Sequence, residues 1–351
     1  MSHADILETT AGPADAALPV IRARGYWRTG LQQLLRDRVA MGAFLVLLLI
    51  VLGCVLAPVY ASRVSGTNPF VSNLDGTITV GGQEQPVLEP STEGLGLGVT
   101  PIGPTWQFGP YLLGADSQGR DVAARLLYGG CNSLLIAGSA TLICLVLAGI
   151  VGIVGGFFGG FVDRVIALLL DVLWAFPIYL LAISLSIVLI SKAITIGPIS
   201  ISAGSLWLPT VIIGVVYVPY VARPVRGRVL NLRRSEFVLA AVGLGIPSGR
   251  ILWRDILPNV LSTLVVFAPL MLALNMMTEA ALSFLSIGVQ SPAASWGTII
   301  LDGVTLLYTR PLVAIAPGLA IVVTVLALNI LGDGVRDALD PRSKVRIRNK
   351  K

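Results

Sequence analysis

Six apolar runs, at roughly 39–60, 131–154, 165–191, 206–225, 260–287 and 312–331, constrain this chain more than any other feature. A hydrocarbon core about 30 Å thick takes about 20 residues of α-helix to cross. Within it, every backbone polar group must find its partner inside the span, which selects helices over irregular chain. Each run meets that length. The third and fifth exceed it, which predicts tilt or extension beyond the bilayer. Charged residues make up 13% of the chain and hydrophobic ones 55%, where a soluble domain carries about 25% charged. The sequence therefore predicts an all-α, polytopic membrane protein with six transmembrane helices.

The distribution of cations sets the expected orientation. Arg22, Arg24, Arg28, Arg36 and Arg38 precede the first run. Arg223, Arg226, Arg228, Arg233, Arg234, Arg250 and Arg254 lie between the fourth and fifth. Arg336, Arg342, Lys344, Arg346, Arg348, Lys350 and Lys351 follow the sixth. With six spans these segments share one side, the cytoplasm. The opposite loops hold only Arg63, Arg120, Arg125, Lys192 and Arg310. The chain then divides into a cytoplasmic leader (1–38), a first span (39–60), an extracytoplasmic insertion (61–113), a five-span core (114–333) and a basic cytoplasmic tail (334–351). The cytoplasmic segment 223–258 interrupts that core. Residues 1–20 read as disordered, and the first run is too long and too far from Met1 for a cleaved signal. In the insertion, "DGTITVGGQ" alternates like a strand bounded by turn residues and predicts a small hairpin.

Several functions are excluded by the sequence. The net charge of +6 does not imply nucleic acid, because the cations cluster at the ends of apolar runs. His3 is the single histidine, and Cys54, Cys131 and Cys144 lie in or beside apolar runs, which argues against a metal cluster and favours small buried thiols. Cys131 and Cys144 fall on one helix about 20 Å apart, too far for a disulfide. No Gly-Lys pair occurs anywhere, so the chain lacks the phosphate-binding lysine of a P-loop.

Residues 235–258, "SEFVLAAVGLGIPSGRILWRDILP", are too polar to span yet helical in spacing. Ser235 can cap a helix whose first turn carries Glu236. Phe237, Ala240, Ala241 and Leu244 then form one thin apolar face. Gly243 and Gly245 weaken this helix and Pro247 stops it. Ser248 can cap a second short helix, 249–257, carrying Arg250 and Arg254, before Pro258 leads into the fifth span. An apolar face on a short cytoplasmic helix needs a cover. Two arrangements provide one: packing on the protein's own spans, or docking into a soluble subunit.

This stretch resembles the "EAA" loop of ABC-importer permeases. Ala240, Ala241, Gly245, Leu257 and Pro258 fall on that pattern, while Leu239 stands at its usual glutamate and Asp255 at a common isoleucine. "LGADSQGRDVAARLLYGGCNSL" (113–134), "GGFFGGFVDRVIALLLDVLWAFP" (155–177), "EAALSFLSIGVQSPAASWGTII" (279–300) and "LGDGVRDALDPR" (331–342) are similar to dipeptide/oligopeptide permeases of the C-subunit type. Ala115 and Ala124 replace that family's usual Thr and Ser. The resemblance implies the type I ABC-importer permease fold, with no catalysis and no cofactor in this chain. Implied partners are a second homologous permease subunit, two cytoplasmic subunits binding ATP and Mg, an extracytoplasmic substrate-binding protein and a peptide substrate. Glu236, Phe237, Ala240, Ala241, Leu244, Gly245, Arg250, Arg254 and Pro258 would couple to the ATPase. The chain would form half of the translocation pathway for di- or oligopeptides; permeases for nickel, glutathione or antimicrobial peptides, which share these motifs, are the alternative.

Asp171 and Glu279 are carboxylates within predicted spans, which are functional candidates by default. An ion-coupled secondary carrier would use such groups as a proton relay. Gating or helix-packing contacts are the other reading, with Asp163 and Arg164 solvated and Asp171 paired locally. Trp174 and Pro177 lie mid-span, where Pro177 predicts a kink and Trp174 could line a path. Gly152, Gly155, Gly156, Gly159 and Gly160 predict a surface turn rather than a helix-dimer face.

Overall fold

The computed structural model describes residues 23–80, 82–90, 98–191, 194–196, 199–201 and 205–339. The expected disorder of residues 1–20, His3 and the outermost tail cations lie outside them. Helix α1 (Ala23–Arg36) is separated from α2 (Arg38–Val55) by Asp37. The Asp37 carboxylate accepts the N–H groups of Val39 at 2.9 Å and Ala40 at 3.2 Å, satisfying donors that a helix start leaves free. Only Ala40, Ala43 and Cys54 of α2 are buried, so its larger side chains face outward. A regular helix stops short of the expected residue 60. Pro58 cannot donate to the preceding turn, and the chain continues as α3 (Ala57–Val59) and a π-helical turn at Tyr60–Ser65.

The predicted hairpin is present. Strand β1 (Thr77–Val80) pairs antiparallel with β2 (Gln83–Pro86), with Val80 opposite Gln83. Strands β3 (Leu88–Pro90) and β4 (Val99–Pro101) pair beside them. Ile78, Val87, Tyr111 and Ala115 form the small core of this insertion.

Helix α4 (Val122–Phe158) has 37 residues, about 55 Å at 1.5 Å per residue, and extends well past the expected 131–154. It is the central element, packing on α2, on α7 (Trp207–Val216) and α8 (Val218–Arg233), and on α11 (Leu257–Phe284). Between α4 and α7 the chain forms α5 (Gly160–Ala175), α6 (Ile178–Ser191) and a small hairpin, β5 (Ile194–Ile196) with β6 (Ile199–Ile201).

The expected third span is therefore two helices, bent by 90°. Phe176 is extended (φ −88°, ψ 139°), as a residue before proline prefers. The fourth expected span is likewise α7 plus α8, bent by 42° where Pro219 lacks a donor. Beyond them lie α9 (Glu236–Gly243), α10 (Ser248–Ile251), α12 (Trp296–Val304) and α13 (Leu312–Leu339). Among the described residues four helices are long and apolar enough to cross a membrane, or up to six if each bent pair counts as one span.

The glycine series does two jobs. Gly159 and Gly160, at φ +68° and +58°, make the expected turn between α4 and α5, a conformation that favours glycine. Gly152 and Gly156 instead form a close contact inside the chain. A Cβ at Gly152 would lie 2.6 Å from Val225 and at Gly156 2.7 Å from Val229. This small-xxx-small spacing brings α4 and α8 together.

Candidate functional site

Helix α9 starts at Ser235, whose backbone is extended (φ −73°, ψ 149°) as a cap requires. Its hydroxyl does not cap the helix but donates to the Leu232 carbonyl at 2.5 Å. Glu236 occupies the first turn. The C-terminus closes with Gly245 N–H to Val242 O (2.9 Å) and Ile246 N–H to Ala241 O (3.1 Å). Gly245 sits at φ +72°, which is the Schellman arrangement with glycine at the left-handed position. The glycine of the EAA-like pattern therefore terminates α9.

The expected single apolar face is split. Val238 and Ala241 are buried in the main core, Ala241 at 8% exposure. Phe237, Leu239, Ala240, Val242 and Leu244 are exposed, Phe237 at 48% and Leu244 at 80%. Helical spacing explains this: a stripe centred between 238 and 241 takes Ala241 inward and leaves 237, 240 and 244 on the flank. Val238 and Ala241 thus pack on the protein's own helices, while the flank at 237, 240 and 244 stays uncovered in this chain.

The second short helix does not stand alone. It starts at Ser248, after Pro247 rather than under a Ser248 side-chain cap. It runs through a π-helical turn (Leu252–Ile256) into α11, so that Ser248–Phe284 is a 37-residue helix. Pro258 falls in the first turn of α11. Arg250, Trp253 and Arg254 are exposed along it. Helix α9 and this arginine-bearing turn touch one another and are joined to α8 on one side and α11 on the other.

The acidic candidates are engaged. Asp171 accepts from Arg223 at 2.7 Å across 52 residues, so its partner comes from α8 and not from its own helix. Arg223 also stacks over Trp174 at 5.0 Å, and Trp174 meets Tyr220 at 5.9 Å. Asp163, expected to be solvated, pairs with Arg226, whose Nη2 donates to Oδ2 at 2.7 Å. Asp171, Arg223 and Arg226 line a cleft of about 310 Å³ with Ala167 and Leu170. Pro177 breaks α5 from α6, and Trp174 packs on α8 beside that break.

Glu279 is fully buried and accepts from Ser283 at 2.7 Å, while Ser283 accepts the Val289 N–H at 3.0 Å. Further along α11, Asn275 donates to Thr141 of α4 at 2.8 Å, and Thr278 shares a hydrogen bond with Tyr217 at 2.8 Å. Polar residues at four-residue spacing, Asn275, Glu279 and Ser283, thus form a stripe inside the helix bundle.

One cluster was not assigned from the sequence, although its residues lie in the quoted 113–134 motif. Asp116, Arg120, Asp121 and Arg125 are all buried. Arg120 Nε donates to Asp116 at 2.7 Å, and both arginines reach Asp302 of α12 at 2.9 Å. Arg125 also donates to the Pro69 carbonyl at 3.1 Å. Asp121 caps α4 through Ala123 and Ala124 and accepts the Tyr111 N–H at 2.9 Å. Burial pushes the Asp302 carboxyl above the usual range, and the two guanidiniums pull it back. The motif thus fastens α12 and the insertion to the start of α4. Its only signal in the sequence was arginines at the edge of an apolar run.

A bundle of long apolar helices, with a short exposed helix linking two of them, defines a multi-pass membrane protein. Residues 145–345 match the family described as binding-protein-dependent transport system inner membrane component, and residues 25–74 match the N-terminal TM domain of oligopeptide transport permease C. The chain belongs to this family of ABC-importer permeases and is a transport subunit rather than an enzyme. It is 32% identical over 319 residues to the dipeptide transport system permease protein DppC of Alkalihalophilus pseudofirmus, covering 91% of this chain and 90% of that protein. It is 30% identical to the oligopeptide transport system permease protein OppC of Bacillus subtilis, covering 95% of each. The glutathione transport system permease protein GsiD of Pectobacterium atrosepticum is 37% identical over 66% of this chain and 73% of its own length. Among solved structures, an inward-facing methionine transporter, MetNI, aligns with 61% of this chain and 95% of its own at TM-score 0.49 and 19% identity.

Proposed function

We propose that this chain forms half of the pathway by which di- or oligopeptides enter the cell, with a second homologous permease subunit as the other half. Two cytoplasmic subunits that bind ATP and Mg drive it, and an extracytoplasmic binding protein delivers the peptide. The observation that carries the reading is the exposed flank of α9. Phe237, Leu239, Ala240, Val242 and Leu244 form an uncovered apolar surface on a helix anchored from behind by Val238 and Ala241. Such a surface fits a groove in a soluble motor subunit.

The connectivity supports transmission. Displacement of α9 reaches α8 through residues 234 and 235, and reaches α11 through the continuous Ser248–Phe284 helix. Helix α8 is wedged against α4 at Gly152 and Gly156. Closure of the ATPase would therefore move α8 and α11 and reshape the cleft lined by Asp171, Arg223 and Arg226. The termini and residues 223–258 face the cytoplasm in this reading, because they hold most of the cations. The peptide cargo follows the dipeptide and oligopeptide relatives, which align over the greater share of the chain.

The test separates the two sides of α9. Phe237→Glu and Leu244→Asp should leave membrane insertion and expression unchanged while peptide uptake and co-purification of the ATPase are lost. Ala241→Glu should instead lower expression, because it puts a charge into the core. Normal uptake by both flank variants would sink the docking role.

A further inference from the structure

The insertion carries two large aromatic side chains that its own core does not use. Trp106 is 70% exposed and Phe108 83%. They sit on a tip whose neck is tied by Thr105 N–H to Tyr111 O (3.2 Å) and Thr105 Oγ1 to Tyr111 O (3.1 Å). Trp106 has φ +53°, a left-handed conformation that a bulky residue rarely adopts. The tip, 105–110, is "TWQFGP" and holds no charge.

Its height is fixed by the first span. No charged residue lies between Arg38 and Arg63. The helical path from Arg38 to Tyr60 rises about 30 Å at 1.5 Å per residue, which is the thickness of the hydrocarbon core. Tyr60 therefore marks the far membrane boundary. Phe108 packs edge-on against Tyr60 at 6.5 Å, and the Tyr60 hydroxyl donates to the Gly109 carbonyl at 3.4 Å. Val55, Leu56 and Val59, just below, are exposed, so the aromatic tip continues the outward apolar surface of the span.

We infer that Trp106 and Phe108 are a membrane anchor: the tip of the insertion sits in the headgroup region of the leaflet at the outer end of the first span. Tryptophan and tyrosine favour this level because an apolar ring and a polar N–H or O–H are both accommodated there. The absence of charge on the tip and its continuity with the span select lipid over a soluble partner. The anchor holds the insertion against the bilayer beside α2, which orients the Asp116–Arg125 cluster that fastens α12.

The full chain in bilayer nanodiscs, wild type and Trp106→Phe, tests this by tryptophan emission. The difference spectrum reports Trp106 alone. Emission should be blue-shifted, shielded from aqueous acrylamide, and quenched more by lipids brominated near the headgroup than by lipids brominated near the chain ends. A spin label at Gln107→Cys, in a background lacking the native cysteines, gives the same depth without altering either aromatic. A difference spectrum that is red-shifted, open to acrylamide and insensitive to brominated lipid would overturn the inference. Protection that appears only on adding a soluble substrate-binding protein would overturn it in favour of a docking contact.

Discussion

Gly156 in α4 offers a quantitative test of the α4–α8 contact. An alanine Cβ there would sit 2.7 Å from the Val229 Cβ and 2.9 Å from the Arg226 carbonyl oxygen. Neither atom is the end of a flexible side chain, so the helices must separate by several tenths of an ångström. Overpacking of this kind costs about 1–3 kcal/mol. Gly138, on the same helix, would place its Cβ with nothing within 4 Å. Both substitutions gain the same helix propensity, about 1 kcal/mol, so their difference isolates the steric contribution. We expect Gly138→Ala to be neutral or stabilising. Gly156→Ala should be less stable than Gly138→Ala by about 1–3 kcal/mol, which is about fivefold to 150-fold in the equilibrium. Thermal unfolding of the two purified variants, followed by retention of a monodisperse chromatographic peak, reads this difference. Equal midpoints would refute the claim that α4 and α8 meet at backbone distance. Because α8 leads directly into α9, uptake should fall in Gly156→Ala even at permissive temperature.

The buried cluster gives a second expectation. Arg125→Ala strips Asp116 and Asp302 of a partner, and breaking a buried pair from one side costs about 3–5 kcal/mol. Expression should collapse, whereas Asp302→Asn, at the more exposed end, should be milder; equal effects on yield would argue against the network. Orientation is checked at Thr79, on β1: in intact cells, a single cysteine there in a background lacking the native cysteines should react with a membrane-impermeant thiol reagent. Labelling that requires lysis would place the insertion inside and invert the topology.

How much of this was legible beforehand depends on the range of the interactions involved. The 165–191 run reads as one span with a kink at Pro177, and the fold contains a 90° break at that point. Proline acts on its own neighbourhood, so the position of the break was visible, but the angle depends on what α5 and α6 pack against. The face of α9 was similarly half visible. Spacing located an amphipathic helix, yet a helix with apolar residues at 237, 238, 239, 240, 241, 242 and 244 can turn several ways, and burial of Val238 and Ala241 chose one.

By itself the sequence determined the membrane-spanning class, the arginine-rich end, the hairpin of the insertion, the family motifs and the turn at Gly159–Gly160. These follow from hydropathy, charge and backbone preference, which act over a few residues at a time. Only the tertiary structure decided that Asp171 answers Arg223, that Gly152 and Gly156 receive α8, and that Arg125 meets Asp302 across 177 residues. Such pairings have no local signature, because a charge or a glycine looks the same in sequence whether its partner is water, lipid or a distant helix.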